Sequence, residues 1–229
     1  MSKTVLVIAA HPDDEVLGCG GTILKHSQEG DKVFVIIAAE GLTSRQNKRN
    51  REIVSNELND LIVTANKAAE ILQVAGIEFL QLPDNRLDSM DRLDLIKLIE
   101  EKIRKFEPEI VYTHHSGDVN VDHRRLYEAT ITACRPMPGN KVNRILTYEV
   151  LSSTDWQPKG SYESFQPNVF VDISDQFQKK IQALNIYSSE MRPWPHSRSI
   201  KAIEHLAKLR GSQVGREAVE AFNLIREIY

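Results

Sequence analysis

Short apolar runs alternate with longer amphipathic segments along most of this chain. The β-branched runs at 5–9 and 33–39 predict buried strands, and segments whose apolar residues recur at helical spacing predict helices between them. The predicted strands lie at 5–9, 33–39, 78–82, 109–113, 145–150 and 168–173, and the predicted helices at 16–29, 52–74, 89–106, 122–134, 175–188, 199–210 and 216–229. Strands that alternate with helices are typical of a parallel sheet, so we expect an α/β fold.

The first predicted strand runs directly into the polar stretch Ala10-His11-Pro12-Asp13-Asp14-Glu15. Ligands bind beyond the carboxyl ends of the strands in open α/β sheets, so these side chains lie where a site is expected. His11 and Asp14, three residues apart on a tight turn, can supply two of the three protein ligands of a catalytic zinc ion. Asp13 is then free to act as the general base for the attacking water. The alternative is that these acidic residues only cap the next helix.

Polar loops also follow the second, third and fourth predicted strands. Arg45 lies near the end of the second strand, where its guanidinium either binds a polar or anionic part of a substrate or lies in solvent. The third strand runs into Asp84, Asn85 and Arg86, which we also expect to contact substrate because they share the edge of the sheet with the first loop. The loop 114–125 after the fourth strand contains three of the seven histidines.

The glycines of Gly18-Cys19-Gly20-Gly21 resemble a dinucleotide-binding loop, but their position argues against one. The GxGxxG pattern needs a glycine where Ile23 stands, and these glycines fall inside the predicted helix and not in the turn before it. Close packing of the helix against the sheet explains them better.

Three segments together carry a resemblance to a known family. AHPDDEVLGCGGT at the start, LPDNRLD in the middle and GDVNVDHRRLYEATITACRP thereafter resemble the PIG-L or LmbE-like family of zinc-dependent N-deacetylases. The resemblance implies a Rossmann-like α/β fold, with a mostly parallel sheet and helices on both faces, in a single domain of residues 1–229. It also implies a zinc ion held by His11, Asp14 and His123, with Asp13 as the general base. The implied reaction hydrolyses the N-acetyl amide of an amino sugar, in a GlcNAc-type glycoside or nucleotide sugar, and releases acetate.

The position of His123 in the chain also suits a metal ligand. It lies in the first turn of the helix predicted at 122–134, where Asp122 is the expected N-cap. Many members of the family carry a second histidine three residues earlier, where this chain has Asn120. An amide can donate to a developing oxyanion but cannot deliver a proton at neutral pH, so we expect Asn120 to be a catalytic donor only. Either Asp13 takes the proton from water and later gives it to the leaving amine, or another histidine protonates the amine. The candidate histidines are His114, His115 and His196.

The segment 189–199 has two prolines around a tryptophan, which disfavours regular structure. Its Arg192, Trp194 and His196 offer the flat apolar face and the hydrogen-bond donors that a sugar-binding rim needs, so we expect Arg192 and His196 to contact substrate. A structural loop or an oligomer contact explains the segment equally well, and homo-oligomerisation stays open.

Composition and charge exclude several classes of protein. The net charge of −3 argues against a protein that binds nucleic acid through a broad basic face. Cys19 and Cys134 form no CxxC pair, so no disulfide framework or zinc knuckle is expected. No stretch approaches the roughly 20 apolar residues of a membrane helix, and the N-terminus leads straight into a strand, unlike a signal peptide. We therefore expect a cytoplasmic protein whose partner is a small-molecule substrate, and neither nucleic acid nor membrane.

Three other functions remain open from the sequence. Two histidines and a carboxylate can also hold Fe(II) for oxygen chemistry, although Asp13 would then have no clear role. A non-catalytic, metal-containing sugar-binding protein is suggested by Asn120 in place of the family histidine. Another amide hydrolase, such as a deformylase of small molecules, would use the same residues.

Overall fold

The structure is a computed structural model that describes residues 2–229. Its strands are β1 (Thr4–Ala9), β2 (Lys32–Ala39), β3 (Gly76–Leu82), β4 (Ile110–His114), β5 (Arg144–Tyr148), β6 (Val169–Asp172) and β7 (Val219–Glu227). Its helices are α1 (Asp14–Gln28), α2 (Ser55–Ile71), α3 (Arg92–Phe106), α4 (Val121–Ala133), α5 (Phe177–Ile186) and α6 (Ile200–Ser212). None of these helices has the length and apolar character that crossing a membrane requires.

The strands form one sheet in the order β3-β2-β1-β4-β5-β7-β6. The first five strands along the chain pair in parallel, whereas β7 runs antiparallel to both of its neighbours. The expected α/β fold with a mostly parallel sheet is therefore confirmed. Because the parallel strands point the same way, the loops that follow β1, β2, β3 and β4 meet at one edge of the sheet.

Alternate residues of β1 belong to two different hydrophobic cores. Val5, Val7 and Ala9 pack in a cluster with residues of α1, α2 and α5. Leu6 and Ile8 pack in a second cluster with residues of α3 and α4. Both sets are fully buried, as the period of two along a strand requires when both faces are covered. The sheet is therefore covered by helices on both faces, as expected.

The helix predicted at 216–229 is wrong, because these residues form β7, between β5 and β6. The first four residues of β7 are all buried, so the alternation that marks a one-sided strand is absent. The apolar residues of this segment also fit helical spacing: Ala218, Ala221, Phe222 and Ile225. The other predicted elements are present, with ends shifted by at most three residues.

Two glycines of α1 let the helix pack closely against its neighbours. A Cβ at Gly18 would overlap the ring of Tyr148, and a Cβ at Gly21 would lie 2.7 Å from the side chain of Ile173. Real Cβ atoms do not come so close, so only glycine fits at both positions. The expectation that these glycines serve packing is confirmed.

A buried ion pair completes α1 where the helix is interrupted at Cys19 (φ −147°). The Glu220 carboxylate in β7 accepts the N–H groups of Gly21 (2.9 Å) and Thr22 (2.7 Å). Nζ of Lys180 in α5 donates to Glu220 (2.6 Å) and to the carbonyl oxygen of Leu17 (2.9 Å). The side chains of Lys180 and Glu220 are each 4% exposed. They therefore supply the partners that the interrupted helix lacks.

We expect Lys180→Met to lower the free energy of unfolding by about 3–5 kcal/mol, because it leaves the Glu220 carboxylate buried without its counter-charge. Urea denaturation followed by circular dichroism measures this loss. Lys179→Met is the matched control, since Lys179 is the exposed neighbour on the same helix. The double change Lys180→Met and Glu220→Gln should cost less than Lys180→Met alone. Equal stability of the Lys179 and Lys180 variants would show that the pair is not needed.

Candidate functional site

The three residues predicted as metal ligands converge at the carboxyl edge of the sheet. His11 follows β1, Asp14 is the first residue of α1, and His123 lies in the first turn of α4. Oδ2 of Asp14 lies 3.1 Å from Nδ1 of His11 and 3.1 Å from Nε2 of His123. The two ring nitrogens are 3.4 Å apart. Two imidazoles and one carboxylate therefore point at a common centre, and their ligand atoms lie close enough together to share one metal ion.

These separations fit the coordination of a zinc ion. Zinc binds imidazole nitrogen and carboxylate oxygen at about 2.0–2.1 Å, which places neighbouring ligand atoms of a tetrahedron about 3.3 Å apart. Catalytic sites use three protein ligands of these types and keep the fourth position for water or substrate. The residues present therefore fit a divalent metal ion such as zinc.

A carboxylate also faces the outer nitrogen of each imidazole. Nδ1 of His123 lies 3.0 Å from Oδ2 of Asp118. Nε2 of His11 lies 3.1 Å from Oδ2 of Asp122 and 3.3 Å from Oδ1 of Asp84. Such carboxylates fix the tautomer and the orientation of a metal-binding histidine and raise its basicity. Since all three are buried, the rings are held in place before any metal binds.

The expectation that Asp122 caps α4 is wrong. The N-cap is Asn120, whose Oδ1 accepts the backbone N–H of Asp122 (2.8 Å). The Asp122 carboxylate instead accepts the backbone N–H groups of Asn85 (2.7 Å) and Leu87 (2.9 Å). Nδ2 of Asn120 also donates to Oδ1 of Asn85 (3.0 Å). The start of α4 therefore holds the loop after β3 against the site.

The buried charges of the ligand cluster depend on one another. Burial lowers the pKa of His123, but the carboxylates of Asp14 and Asp118 outweigh this and raise the pKa to about 9. Burial also opposes protonation of His11, yet Asp122 and Asp14 hold its pKa well above the usual value. Burial raises the pKa of Asp14, but the two imidazoles keep it well below its ordinary range. In the metal-free protein the neighbouring carboxylates therefore favour the protonated form of both rings, so the cluster accommodates positive charge.

Asp13 is buried beside the cluster and precedes α1 as its N-cap. Its φ of 115° is a left-handed conformation that non-glycine residues rarely adopt. Its backbone N–H donates to Oε2 of Glu15 (3.1 Å), and Oε1 of Glu15 accepts from the hydroxyl of Tyr187 (2.7 Å). Burial raises the pKa of the Asp13 carboxyl to about 8, although the guanidinium of Arg198 opposes the rise. A carboxylate with a raised pKa accepts protons more readily, which suits a general base.

Two of the histidines considered as proton carriers make other contacts. Nε2 of His114 accepts the backbone N–H of Ala10 (2.8 Å), and its ring stacks on that of His123 with the centroids 3.8 Å apart. Burial holds the pKa of His114 well below its usual value, so this ring is neutral. Nε2 of His115 lies 2.9 Å from the carbonyl oxygen of Glu163. These contacts hold both rings in place, and a role for either ring as a proton carrier stays a prediction.

Some of the predicted substrate-binding residues lie directly beside the ligand cluster. Asp84 faces His11, and Oδ1 of Asn85 accepts a hydrogen bond from Nδ2 of Asn120. Arg86 follows them and is half-buried, and its Nε has no hydrogen-bond partner within residues 2–229. The structure therefore brings this loop to the site, while substrate contact by its side chains stays a prediction.

The other predicted substrate-binding residues make hydrogen bonds or ion pairs with residues outside the ligand cluster. Arg45 pairs with Glu190 (2.7 Å). The guanidinium of Arg192 donates to two carbonyl oxygens of its own loop (2.8 and 2.9 Å). Nδ1 of His196 accepts the backbone N–H of Arg198 (2.9 Å). None of these contacts is with a ligand of the cluster, and the roles of Arg45, Arg192 and His196 in binding substrate stay predictions.

Sequence reasoning missed Asp118, Arg198 and the pair of Glu15 with Tyr187. Asp118 lies in the histidine-rich loop, where a carboxylate close to a predicted histidine ligand was an available signal. Arg198 contacts Asp13 across 185 residues of sequence, and no local pattern reveals such a partner.

A family model matches residues 6–134 of this chain, and its description is PIG-L: GlcNAc-PI de-N-acetylase. The match covers more than half of the chain and contains the three converging residues, Asp13 and Asn120. The chain belongs to the PIG-L family.

Relatives extend the similarity of this PIG-L chain beyond the matched range. It is 32% identical to the uncharacterized deacetylase YaiS of Escherichia coli, covering 82% of this chain and 91% of the relative. It is 31% identical to the diacetylchitobiose deacetylase of Thermococcus kodakarensis, covering 82% and 70%. A 4-oxalmesaconate hydratase of Pseudomonas putida is 28% identical, with coverage of 85% and 76%. The N,N'-diacetylchitobiose deacetylase of Pyrococcus horikoshii shares the fold, with a TM-score of 0.77, 22% identity and coverage of 98% and 84%.

These similarities identify the PIG-L chain as an enzyme of the deacetylase class.

We expect His11→Ala, Asp14→Ala and His123→Ala each to abolish stoichiometric zinc binding, because a catalytic zinc site has only three protein ligands. Asp118→Asn should weaken zinc binding about 10- to 100-fold, since it removes the carboxylate behind His123. Metal analysis after dialysis and titration against a chelator measure both effects.

The matched control for Asp118→Asn is Asp31→Asn, which removes a carboxylate 2.8 Å from His26, a histidine outside the ligand cluster. This variant should bind zinc like the parent. Near-stoichiometric zinc in all three alanine variants would contradict the ligand assignment.

Zinc binding to the PIG-L chain should release two to three protons at pH 7: the raised pKa values of His11 and His123 favour protonated rings that must become neutral to bind metal, and the nearby cation should lower the pKa of Asp13 from about 8. Both histidine pKa values are raised, so zinc affinity should increase with pH and lose part of this dependence above about 9, where His123 is already neutral. Calorimetry in two buffers of different ionisation enthalpy counts the protons. Release of less than one proton would contradict this charge state.

Proposed function

We propose that this chain is a zinc-dependent N-deacetylase that hydrolyses the N-acetyl amide of an amino sugar, in a GlcNAc-type glycoside or nucleotide sugar, and releases acetate. The observation that carries the proposal is the convergence of His11, Asp14 and His123 on one centre, with the separate carboxylate of Asp13 beside it. The relatives named as deacetylases support the reaction, and diacetylchitobiose in the name of one supports the class of substrate.

His11, Asp14 and His123 would hold the metal. A bound zinc ion supplies a Lewis acid that lowers the pKa of water toward about 7 and polarises the acyl carbonyl. Asp13 takes a proton from the attacking water as the water oxygen bonds to the acyl carbon. The C–N bond then breaks, and Asp13 returns the proton to the amine nitrogen. The acid that forms then loses its proton to the amine or to solvent, so the products are acetate and the free amino sugar in its ammonium form.

Asn120 is the proposed donor to the negative charge that develops on the acyl oxygen. Its Nδ2 carries two protons, and the bond to Oδ1 of Asn85 uses one, which leaves the other for the substrate. Its Oδ1 is fixed as the cap of α4, so the amide cannot turn without losing that bond. A donor held in this way needs no reorganisation during the reaction.

Substrate contacts are proposed for Arg45, Asp84, Asn85, Arg86, Arg192 and His196. Arg86 has the strongest support, because its half-buried side chain has a donor without a hydrogen-bond partner among residues 2–229. An unpaired buried donor costs stability, and a hydroxyl or an anionic group of the substrate would offset that cost. The charged fork of arginine suits either partner.

The hydratase among the relatives supports a second candidate, the addition of water to a carbon–carbon double bond. Asp13 would again take the proton from water. The ligand cluster alone therefore does not show whether the chain catalyses amide hydrolysis or hydration. Oxygen chemistry on Fe(II) has less support, because it gives Asp13 no task.

A panel of N-acetylated mono- and disaccharides and nucleotide sugars tests the proposal, with N-formyl analogues and an unsaturated dicarboxylic acid as comparisons. We expect acetate and free amine to appear in equal amounts from at least one N-acetyl sugar. Asp13→Asn should keep its zinc and lower kcat by about 100-fold or more, since it keeps the shape and removes the base. Asp60→Asn, an exposed change of the same type on α2, is the control and should turn over like the parent.

The outcomes of the panel separate the candidate functions. Formate release from the N-formyl analogues alone would identify a deformylase, and hydration of the unsaturated acid alone would identify a hydratase. Zinc-loaded protein that binds N-acetyl sugars without turnover would identify a sugar-binding protein. Any of these results would refute the proposed deacetylation.

A further inference from the structure

Arg198 lies outside the range that matches the family model, yet its side chain reaches the proposed base. Nη1 of Arg198 lies 3.0 Å from Oδ2 of Asp13. The Asp13 side chain is 1% exposed and that of Arg198 is 24% exposed, so this charge-assisted hydrogen bond lies largely out of water. Such bonds are roughly twice as strong as neutral ones, by the usual order of magnitude.

The Arg198 side chain is also held by the loops that surround it. Its Nε donates to Oγ of Ser152 (2.9 Å), and its backbone N–H donates to Nδ1 of His196 (2.9 Å). Its carbonyl oxygen accepts the backbone N–H of Arg192 (3.0 Å). The backbone N–H of Ser152 donates to Oγ of Ser197 (3.3 Å), which joins the two loops a second time. The guanidinium is therefore fixed at Nε, and Nη1 is directed at Asp13.

The two carboxylate oxygens of Asp13 are in different situations. Oδ2 accepts the bond from Arg198, whereas Oδ1 accepts no hydrogen bond from any group of residues 2–229. A carboxylate turns easily about its last torsion, so a bond to one oxygen decides where the other oxygen points. A general base must lie within hydrogen-bond reach of the proton that it takes.

We propose that Arg198 is a positioning residue for Asp13, which holds Oδ2 so that Oδ1 faces the reacting water. This inference rests on the proposed function, in which Asp13 is the base. Arginine suits the task because its planar fork can bond Ser152 through Nε and Asp13 through Nη1 at fixed relative directions. A single ammonium group has no such geometry, so the change Arg198→Lys would keep the charge but lose the alignment.

The alternative is an ion pair that only ties the loop before α6 to the start of α1. Such a pair would contribute to stability, and its loss would not slow the reaction through Asp13. The experiment must therefore ask whether the effect of Arg198 on the rate disappears when Asp13 cannot act as a base.

A double-mutant cycle of Arg198→Met and Asp13→Asn provides this test. Arg198→Met should lower kcat by about 100-fold, since a small misplacement of a catalytic group has an effect of that order. KM should change much less, because Arg198 is not proposed to bind substrate. In the Asp13→Asn background the same change should have little further effect on kcat, because residues that act as one unit are not additive. Arg198→Lys should recover only part of the rate.

Three measurements besides activity accompany the cycle. Zinc content should match that of the parent, since Arg198 makes no hydrogen bond to His11, Asp14 or His123 within residues 2–229. A crystal structure of zinc-free Arg198→Met should show the Asp13 carboxylate in a changed or mixed orientation. The melting temperature shows whether the variant is folded. Arg216→Met removes an exposed pair with Asp172 (3.2 Å) and is the control for the loss of an arginine.

Equal losses of kcat from Arg198→Met in both backgrounds, or an Asp13 carboxylate that keeps its orientation in the variant, would overturn the inference. A parent enzyme that hydrolyses no N-acetyl sugar would refute the proposed function instead. The orientation of Asp13 in the zinc-free variant then still decides whether Arg198 positions it, because that measurement needs no substrate.

Discussion

Five aspartate carboxylates are buried together at one edge of the sheet, and their negative charge must be balanced there. They are Asp13, Asp14, Asp84, Asp118 and Asp122. A buried carboxylate is strongly destabilising unless hydrogen bonds and counter-charges compensate it. Two protons on the imidazoles of His11 and His123, or one divalent ion between them, add the same positive charge. Metal binding therefore exchanges protons for a metal ion without a large change in the charge of the cluster.

The same carboxylates determine how the loops around the site fold. Asp84 accepts the backbone N–H of Ser44 (2.9 Å) in the loop after β2, and Asp122 accepts two N–H groups of the loop after β3. Asp118 accepts from the hydroxyls of Ser153 and Thr154 in the loop after β5. Asp84, Asp118 and Asp122 thus each face a histidine and also hold a loop through further hydrogen bonds. The positions of the ligands depend on the whole edge of the sheet and not on the turn after β1 alone.

The local pattern indicated His11 and Asp14 as candidate ligands, and the resemblance to the family supplied His123 as the third. His11 and Asp14 share one turn at a strand end, and His123 opens a helix at the same edge, so position in the chain largely decides where these side chains lie. Contacts between distant segments could not be predicted in this way. The bond between Arg198 and Asp13 spans 185 residues. Neither partner carries a local signal for the other.

The prediction failed for β7 and for Asp122 because a local rule competed with a longer-range contact. The helical spacing of the apolar residues around Glu220 also fits a helix, whereas Glu220 is buried against Lys180 in a strand that lies between two others. An acidic residue at a helix start is a good cap, but Asn120 caps α4 and leaves Asp122 free to face His11. In both cases a buried partner from another element decides the structure.

Asn120 restricts how a proton can move through this site. Its oxygen caps α4, and a doubly protonated histidine at that position would have no acceptor for the same bond. The Asn120 amide therefore serves as the cap but has no proton to give up at neutral pH. In the proposed mechanism Asp13 is therefore the carboxyl that returns the proton to the leaving amine. Burial raises its pKa and Arg198 lowers it, with a balance at about 8, so that one carboxyl can accept a proton from water and return it near neutral pH.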